Sequence, residues 1–383
     1  MRILYHHRTL GDGAEGIHIR EMVKAFREIG YEVLVIGPLG ETSDNVSKKA
    51  SVLYKIKNIL PGFFYELLEL GYNLIGFINI YKNIKSFRPD FIYDRYITFN
   101  VSSVFLGKYF GIPVINEVNA PLSLERSTQP DEQLYFKKLA HFLEKWICLN
   151  ATKTIAVSSP LAEYYHYRGV PQTKLVVMPN GVDKEKFQPH SKSKLLLNRL
   201  GINNGEIIIG FSGILRSWHG IDILIKTVAR LVEREIPVFL LIVGDGPLRQ
   251  DIETWTRDSG IGEHYKITGR IAHSQVPEFV NLFDVAVSPR STFYASPMKL
   301  IEYMALGKAV VIPNCANFLD IVDPGINGIL FDENDVGSLT NAITKLCKDV
   351  SFRREIGLNA RLKVEKRLNW EWNAREVCRL ATL

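Results

Sequence analysis

The 383 residues predict an α/β protein of two wound, parallel-sheet domains facing each other across a cleft. Three observations carry this. Short apolar runs of strand length alternate with helix-length amphipathic segments, the pattern of parallel sheets covered by helices. The alternation occurs twice, before and after a charged, aperiodic passage at Asp183–Ser193. The length also exceeds what one ordinary core supports.

Taken in order, Arg2–Tyr5 reads as a strand and His6–Gly16 as a polar loop. Ile17–Ile29 has helical periodicity closed by Gly30, and Glu32–Ile36 is a second strand ended by Gly37-Pro38. Phe91–Tyr93 and Pro113–Ile115 read as strands around a helix at Asn100–Phe110. Asp131–Leu149 reads as a long helix, Lys153–Val157 as a strand, and Ser158-Ser159-Pro160 as a helix cap. Leu175–Met178 runs into the turn Pro179-Asn180-Gly181. Beyond the linker come strands at Ile207–Phe211, Val238–Val243, Tyr265–Thr268 and Val285–Val287, with helices at Ile221–Glu233, Leu248–Asp258 and Val276–Leu282. Ser296 stands where an N-cap belongs, with Pro297 first in the helix, Gly307 ending it and Ala309–Ile312 a strand. Helices at Leu339–Lys348, Phe352–Lys366 and Trp370–Leu380 close the chain.

The segment Lys48–Arg88 departs from this pattern. Its apolar stretch Ile59–Ile80 is flanked by lysines and interrupted by Glu66, Glu69, Asn73, Pro61-Gly62 and Gly71, which argues against a transmembrane span. Two readings stay open: helices covering the first sheet, or a helix pair whose apolar side dips into an anionic membrane surface.

The formal charge of +6 suits a phosphorylated ligand or an anionic surface and is too weak to indicate nucleic acid. Cys148, Cys315, Cys347 and Cys378 have no paired spacing, so neither a disulfide framework nor a zinc site is indicated. The N-terminus leads straight into a strand without a secretory pattern, and a cytoplasmic location is the expectation.

Gly11–Gly16 fits G-x-G-x-x-G, but the second strand ends in Gly37-Pro38 with no acid for a ribose, so a dinucleotide site is not expected. The loop at Gly213–Gly220 carries Arg216, a suitable phosphate clamp. Val243–Pro247 and Thr268–Ile271 are further loops at strand ends. Such loops converge on one crevice, so Arg216, Gly244, Arg270 and the start of the Ser296 helix should form a basic, N–H-rich pocket fit for a diphosphate. Lys299 opposes the helix dipole, which makes sense if an anion sits there. Glu302 lies among apolar neighbours and needs a partner. No two aspartates stand two apart and there is no H-E-x-x-H, so no metal site is expected.

With these residues in place, the sequence resembles family-4 retaining glycosyltransferases (glycosyl transferase group 1) of the GT-B fold, over nearly the whole chain. The marks are the N-terminal glycine loop with His18 and Arg20, Pro179–Asp183 with Phe187, Arg216 with Gly220, Val243–Pro247, Gly269 and SPMKLIEYMALGKAVV. The resemblance implies two Rossmann-like domains. Residues 1–185 would bind the acceptor and 186–366 the nucleotide-sugar donor, and a C-terminal helix, about residues 367–383, with Trp370 and Trp372, would cross back onto the first domain. By the same resemblance Arg216 would clamp the diphosphate and Glu302 would hold the ribose. Arg270 and Ile271 would flank the base, Lys299 and Leu300 would offer backbone N–H groups, and the loop around Gly13 would close over the donor. Gly244, Ser296 and Met298 belong to the same donor-binding set.

Three positions depart from the family pattern. Tyr294 stands where the first Glu of the Glu-x7-Glu motif contacts the sugar. His219, after Trp218, replaces a Lys. Asn119 and Glu117, in Asn116–Pro121, stand in place of a His near the acceptor. Asn119 can hydrogen-bond the sugar but cannot shuttle a proton at neutral pH, and Glu117 is the alternative polar group.

The implied activity is metal-independent, retaining transfer of a sugar from a nucleotide diphosphate to a hydroxyl of a glycan or lipid-linked acceptor, in cell-envelope polysaccharide or glycolipid synthesis. It needs no cofactor and would work at the inner face of the cell membrane. The alternatives are a GT-B sugar-nucleotide epimerase and a non-catalytic binder of nucleotide-sugar or glycan.

Overall fold

A computed structural model of the chain describes residues 1–9, 13–37, 62–128 and 134–382. It divides into two compact units, Met1–Pro179 with Trp370–Leu383, and Asn180–Asn369. The boundary falls at Asn180 rather than after residue 185. The Asn180 backbone N–H donates to Ser296 Oγ at 3.0 Å and its side-chain amide to the Ser296 carbonyl at 2.8 Å, which fixes it in the second unit.

The first unit contains β1 (Arg2–His6), α1 (Ala14–Glu28), β2 (Glu32–Ile36), α2 (Gly62–Phe87), β3 (Phe91–Arg95), α3 (Ser102–Phe110), β4 (Val114–Val118), α4 (Leu122–Thr128), α5 (Lys137–Asn150), β5 (Lys153–Ala156), α6 (Ser159–Tyr167) and β6 (Leu175–Val177). The strands form one parallel sheet in the order β2-β1-β3-β4-β5-β6. Ser158 caps α6 by accepting the Leu161 N–H, as its sequence position predicts.

Three expectations are corrected here. The helix expected from Ile17 begins at Ala14, inside the glycine loop, of which Leu10–Asp12 lie outside the described residues. The expected helix pair in 59–80 is one helix, α2, where 38–61 lie outside the described residues. Gly71 does not interrupt α2, and neither does Gly76. Gly76 lets the helix approach its neighbour, since a Cβ there would lie 2.8 Å from Ser102 Oγ. The helix expected from Asp131 is described from Lys137.

The second unit contains α7 (Lys194–Leu200), β7 (Ile207–Ser212), α8 (Ile221–Glu233), β8 (Val238–Val243), α9 (Arg249–Asp258), β9 (Tyr265–Ile267), α10 (Val276–Val280), β10 (Val285–Val287), α11 (Met298–Ala305), β11 (Ala309–Pro313), α12 (Ala316–Leu319), β12 (Ile329–Phe331), α13 (Val336–Lys348) and α14 (Val350–Lys366). Its parallel sheet runs β12-β11-β10-β7-β8-β9. Alternate residues face opposite cores. Phe239, Leu241 and Val243 pack in one cluster and Leu240 and Ile242 in the other, which is why β8 reads as a continuous apolar run. On α8, Ile221, Leu224, Ile225, Val228 and Leu231 are buried at helical spacing.

The last helix, α15 (Trp370–Ala381), belongs to the first unit. It packs against α1, with the Trp370 ring 4.7 Å from that of His18, centroid to centroid.

Candidate active site

In the second unit the strand order reverses between β10 and β7. Wound sheets place ligands at the carboxyl ends of strands at such a point. Three loops meet there. Gly213, at φ 138°, follows β7, and its N–H donates to the Val243 carbonyl at 2.9 Å. Gly244, at φ 139°, follows β8, and a Cβ on it would lie 2.1 Å from the Gly213 carbonyl oxygen. Its N–H donates to Thr268 Oγ1 at 3.1 Å, and it bridges to Gly269. Glycine is required at Gly244 because its backbone touches that of Gly213, and is favoured at Gly213 by the positive φ.

Helix α11 starts beside these loops. The Tyr303 hydroxyl, one turn in, accepts the Ser212 N–H at 2.6 Å and ties the helix to the end of β7. Lys299 Nζ stands 4.2 Å from the centroid of the Phe211 ring and 3.1 Å from where a Gly213 Cβ would be. The ammonium is buried and has no hydrogen-bond partner among the described residues. Burial pulls its pKa down to about 7, against the opposing pull of Glu302. His219, behind the same loop, is held down to about 3 by burial and by the nearby Lys299 charge, so it is neutral at neutral pH and supplies no fixed charge.

Glu302 is buried and accepts from His273 Nε2 at 3.2 Å. Lys186 Nζ donates to His273 Nδ1 at 2.7 Å, which fixes the tautomer: the proton sits on Nε2 and points at Glu302. Neither His273 nor Lys186 is legible as a site residue in the sequence. They stand 29 residues from Glu302 and 87 from His273, and no spacing rule joins them.

The other expected donor residues fall as follows. Arg216 is exposed, its guanidinium 5.0 Å from the Trp218 ring centroid. Arg270 is exposed, and Ile271 packs partly against the sheet core. Tyr294 is half-buried beside Phe293. Gly13 precedes α1 in the first unit, and its N–H donates to Glu15 at 3.3 Å. Two expectations are corrected. Ser296 does not cap α11, because Pro297 holds the N-cap position and the Ser296 hydroxyl is taken by Asn180. The Leu300 N–H is spent on the Pro297 carbonyl at 3.0 Å, which leaves the Met298 and Lys299 N–H groups as the helix-start donors.

In the first unit, Glu117 lies inside the fold. It accepts from His18 Nε2 at 2.7 Å and stands 3.5 Å from Arg95 Nη1. Arg95 also donates to His18 Nδ1 at 3.0 Å, so His18 is the neutral Nε2–H tautomer. Burial pushes the Glu117 carboxyl upward, but His18 and Arg95 outweigh it and hold it down at about 2. Asn119 stands just past β4, its side-chain amide nitrogen buried and without a partner among the described residues. Arg95, which the sequence does not single out, thus decides what Glu117 can do.

The chain matches the family model described as Glycosyl transferases group 1 over residues 171–363 and that described as Glycosyltransferase Family 4 over residues 15–186. It is 25% identical over 243 residues to an uncharacterized glycosyltransferase of Methanocaldococcus jannaschii, a match spanning 62% of each chain. It is 25% identical over 301 residues, 75% of each chain, to the UDP-Gal:alpha-D-GlcNAc-diphosphoundecaprenol alpha-1,3-galactosyltransferase of Escherichia coli. Its fold is similar to that of Anabaena HepE in complex with UDP, with a TM-score of 0.71 and 18% identity, covering 100% of both chains. The two wound parallel sheets and their structural neighbours define the GT-B fold, and the family models define a glycosyltransferase. The chain belongs to the glycosyl transferases group 1 family.

Proposed function

We propose that the protein transfers a sugar, with retention, from a nucleotide diphosphate sugar to a hydroxyl of a glycan or lipid-linked acceptor in cell-envelope polysaccharide or glycolipid synthesis. The observation that carries this is the buried, unpartnered Lys299 ammonium beside the α11 start and the Gly213 turn. A buried cation without a hydrogen-bond partner is costly, and a diphosphate would supply one. The Met298 and Lys299 N–H groups and the Arg216 guanidinium would complete the seat, and Glu302, oriented by His273, would accept from the ribose hydroxyls. The bond from the sugar's anomeric carbon to the diphosphate breaks as the bond to the acceptor oxygen forms on the same face. The acceptor proton passes to the departing phosphate. Lys299 and Arg216 stabilise the leaving charge, so the step needs no metal. Asn119, with its free amide, would bond the sugar on the acceptor side, while Glu117 acts through His18.

Membrane contact is part of the proposal. The first half of helix α2 is inside-out, while Ile80 and Ile84 further along are buried. Its buried face carries Glu66, which accepts the Tyr135 and Phe136 N–H groups at 2.6 and 2.8 Å, and Asn73, whose side-chain amide donates to the Phe99 carbonyl at 2.8 Å. Its exposed face carries Phe63, Phe64, Leu67, Leu68, Leu74 and Ile75. Such a face, followed by Lys82, Lys85 and Arg88, fits the interfacial layer of an anionic membrane, which would place the protein at its cytoplasmic side. Among the described residues no helix is long and apolar enough to cross a membrane.

The test is a thermal-shift and hydrolysis screen of uridine, guanosine and adenosine diphosphate sugars, with and without EDTA. One donor should stabilise the protein and be slowly hydrolysed to nucleoside diphosphate in EDTA. Tight binding without turnover against any acceptor pool would leave a binder instead. Co-sedimentation with anionic vesicles, reversed by salt, tests the membrane face.

A further inference from the structure

We infer that the first unit holds an anion site of its own, built on Arg8 and Thr9 just past β1, which seats a phosphate or diphosphate group of the acceptor. This rests on the reading of the first unit as the acceptor side. The first sheet reverses its strand order between β1 and β3, so the loop after β1 stands at its switch point. The Arg8 guanidinium is clamped there. It lies 4.5 Å from the Tyr72 ring centroid, and its Nη2 donates to the Glu69 carbonyl oxygen at 3.0 Å. The other terminal nitrogen, Nη1, is buried and has no partner among the described residues, and neither has the Thr9 hydroxyl.

The carboxylates that act on Arg8 are engaged elsewhere. Glu69 pairs with Arg126 at 2.9 Å. Asp94 accepts from His6 Nδ1 at 2.7 Å and from Ser103 Oγ at 2.9 Å. Arg126 holds the Glu69 carboxylate and Asp94 is hydrogen-bonded by His6 and Ser103, so among the described residues Arg8 has no carboxylate at ion-pair distance and its Nη1 stays unspent. Burial lowers the Arg8 pKa, yet an arginine stays charged and cannot escape by losing its proton. An unspent guanidinium N–H, with an unspent hydroxyl on the next residue, is the donor type that phosphate oxygens accept from. Asn119 follows β4, two strands along the same carboxyl edge of the sheet, with its amide nitrogen also unspent among the described residues.

The experiment uses the full chain saturated with UDP, so that the second unit's anion seat is filled. Calorimetric titration with inorganic phosphate and with decyl phosphate reads the first unit. Wild type should bind, R8Q should bind about tenfold or more weakly, and R8K should recover part of the loss. UDP affinity should be unchanged in R8Q. Equal affinity for the two probes assigns recognition to the phosphate alone, and tighter decyl phosphate binding assigns it to a phosphate ester; both keep the site. Binding by R8Q equal to wild type, or no binding of either probe by wild type, overturns it. If R8Q does not fold, T9V carries the test, and unchanged probe affinity in T9V overturns the proposal. A chain that binds decyl phosphate but never UDP keeps this site and loses the transferase reading.

Discussion

The networks around Glu117 in the first unit and Glu302 in the second share one arrangement and differ in the charge that stands beside them. Each unit presents the carboxyl ends of its central strands at a switch point. In the first unit, the Arg95 and Glu117 charges face each other at 3.5 Å, with His18 bonded to both. In the second, Lys186 and His273 orient Glu302 in the same cation–imidazole–carboxylate sequence, but Lys299 beside them is left alone. Breaking a buried charge pair is costly, whereas a buried cation with no hydrogen-bonded anion is open to one.

The largest test of this contrast is Glu117→Ala. It leaves Arg95 buried without its carboxylate and should cost about 3–5 kcal/mol in denaturant unfolding. Lys299→Met should do the reverse in the second unit. It removes a buried unpaired cation, so unfolding stability should hold or rise, while nucleoside diphosphate affinity falls by about tenfold, or ~1.4 kcal/mol. A loss of stability in that variant would mean that Lys299 is already paired, and the contrast would collapse.

Protonation sharpens the comparison next. The folded-state pKa values of His7, about 4, and His219, about 3, lie below the ordinary histidine value. Between that value and the folded one the unfolded chain binds more protons, so stability is present above about pH 6.5 and is lost as pH falls through the window. Each histidine contributes a slope of up to about 1.4 kcal/mol per pH unit, and His219→Gln should flatten the acid limb of a stability–pH curve. Lys299 acts at the other end. With a folded pKa near 7, it makes stability rise with pH from about 7 to the ordinary lysine value, because the unfolded lysine keeps its proton. Binding a diphosphate should restore that proton. Calorimetry at pH 8 in buffers of different ionisation heat should show proton uptake in wild type and none in Lys299→Met.

The smallest expected effect is on the orienting pair. His273→Ala should weaken donor binding by about fivefold, ~1 kcal/mol, with stability little changed, and His273→Asn should recover part of it. Unchanged affinity in both would separate Glu302 from the donor.

Strands such as β8 and helices such as α8 are legible in the sequence because burial imposes a period that side chains must follow. The short β12 and α12 are not, because three or four residues carry no period. Helix α2 misleads because the period of its first half is inverted: the polar Glu66 and Asn73 point inward to satisfy loop amides and carbonyls, and Phe63 and Phe64 point out. At the site, the sequence marks Lys299 and Glu302 as residues that need partners. It could not say which one has found a partner. It also took Ser296 for a cap, because a serine before Pro297 looks the same whether it bonds its own helix or Asn180, which is 116 residues away.

The sequence by itself determined two wound sheets, the glycine turns at their strand ends and the family. Those follow from local period and from turns that only glycine can make. The tertiary structure decided which charges are spent. Arg95 neutralises Glu117, His273 orients Glu302, and Lys299 and Arg8 are left with donors to give. Pairing is a matter of distance in space, and the strand order that sets those distances is not written in any one segment.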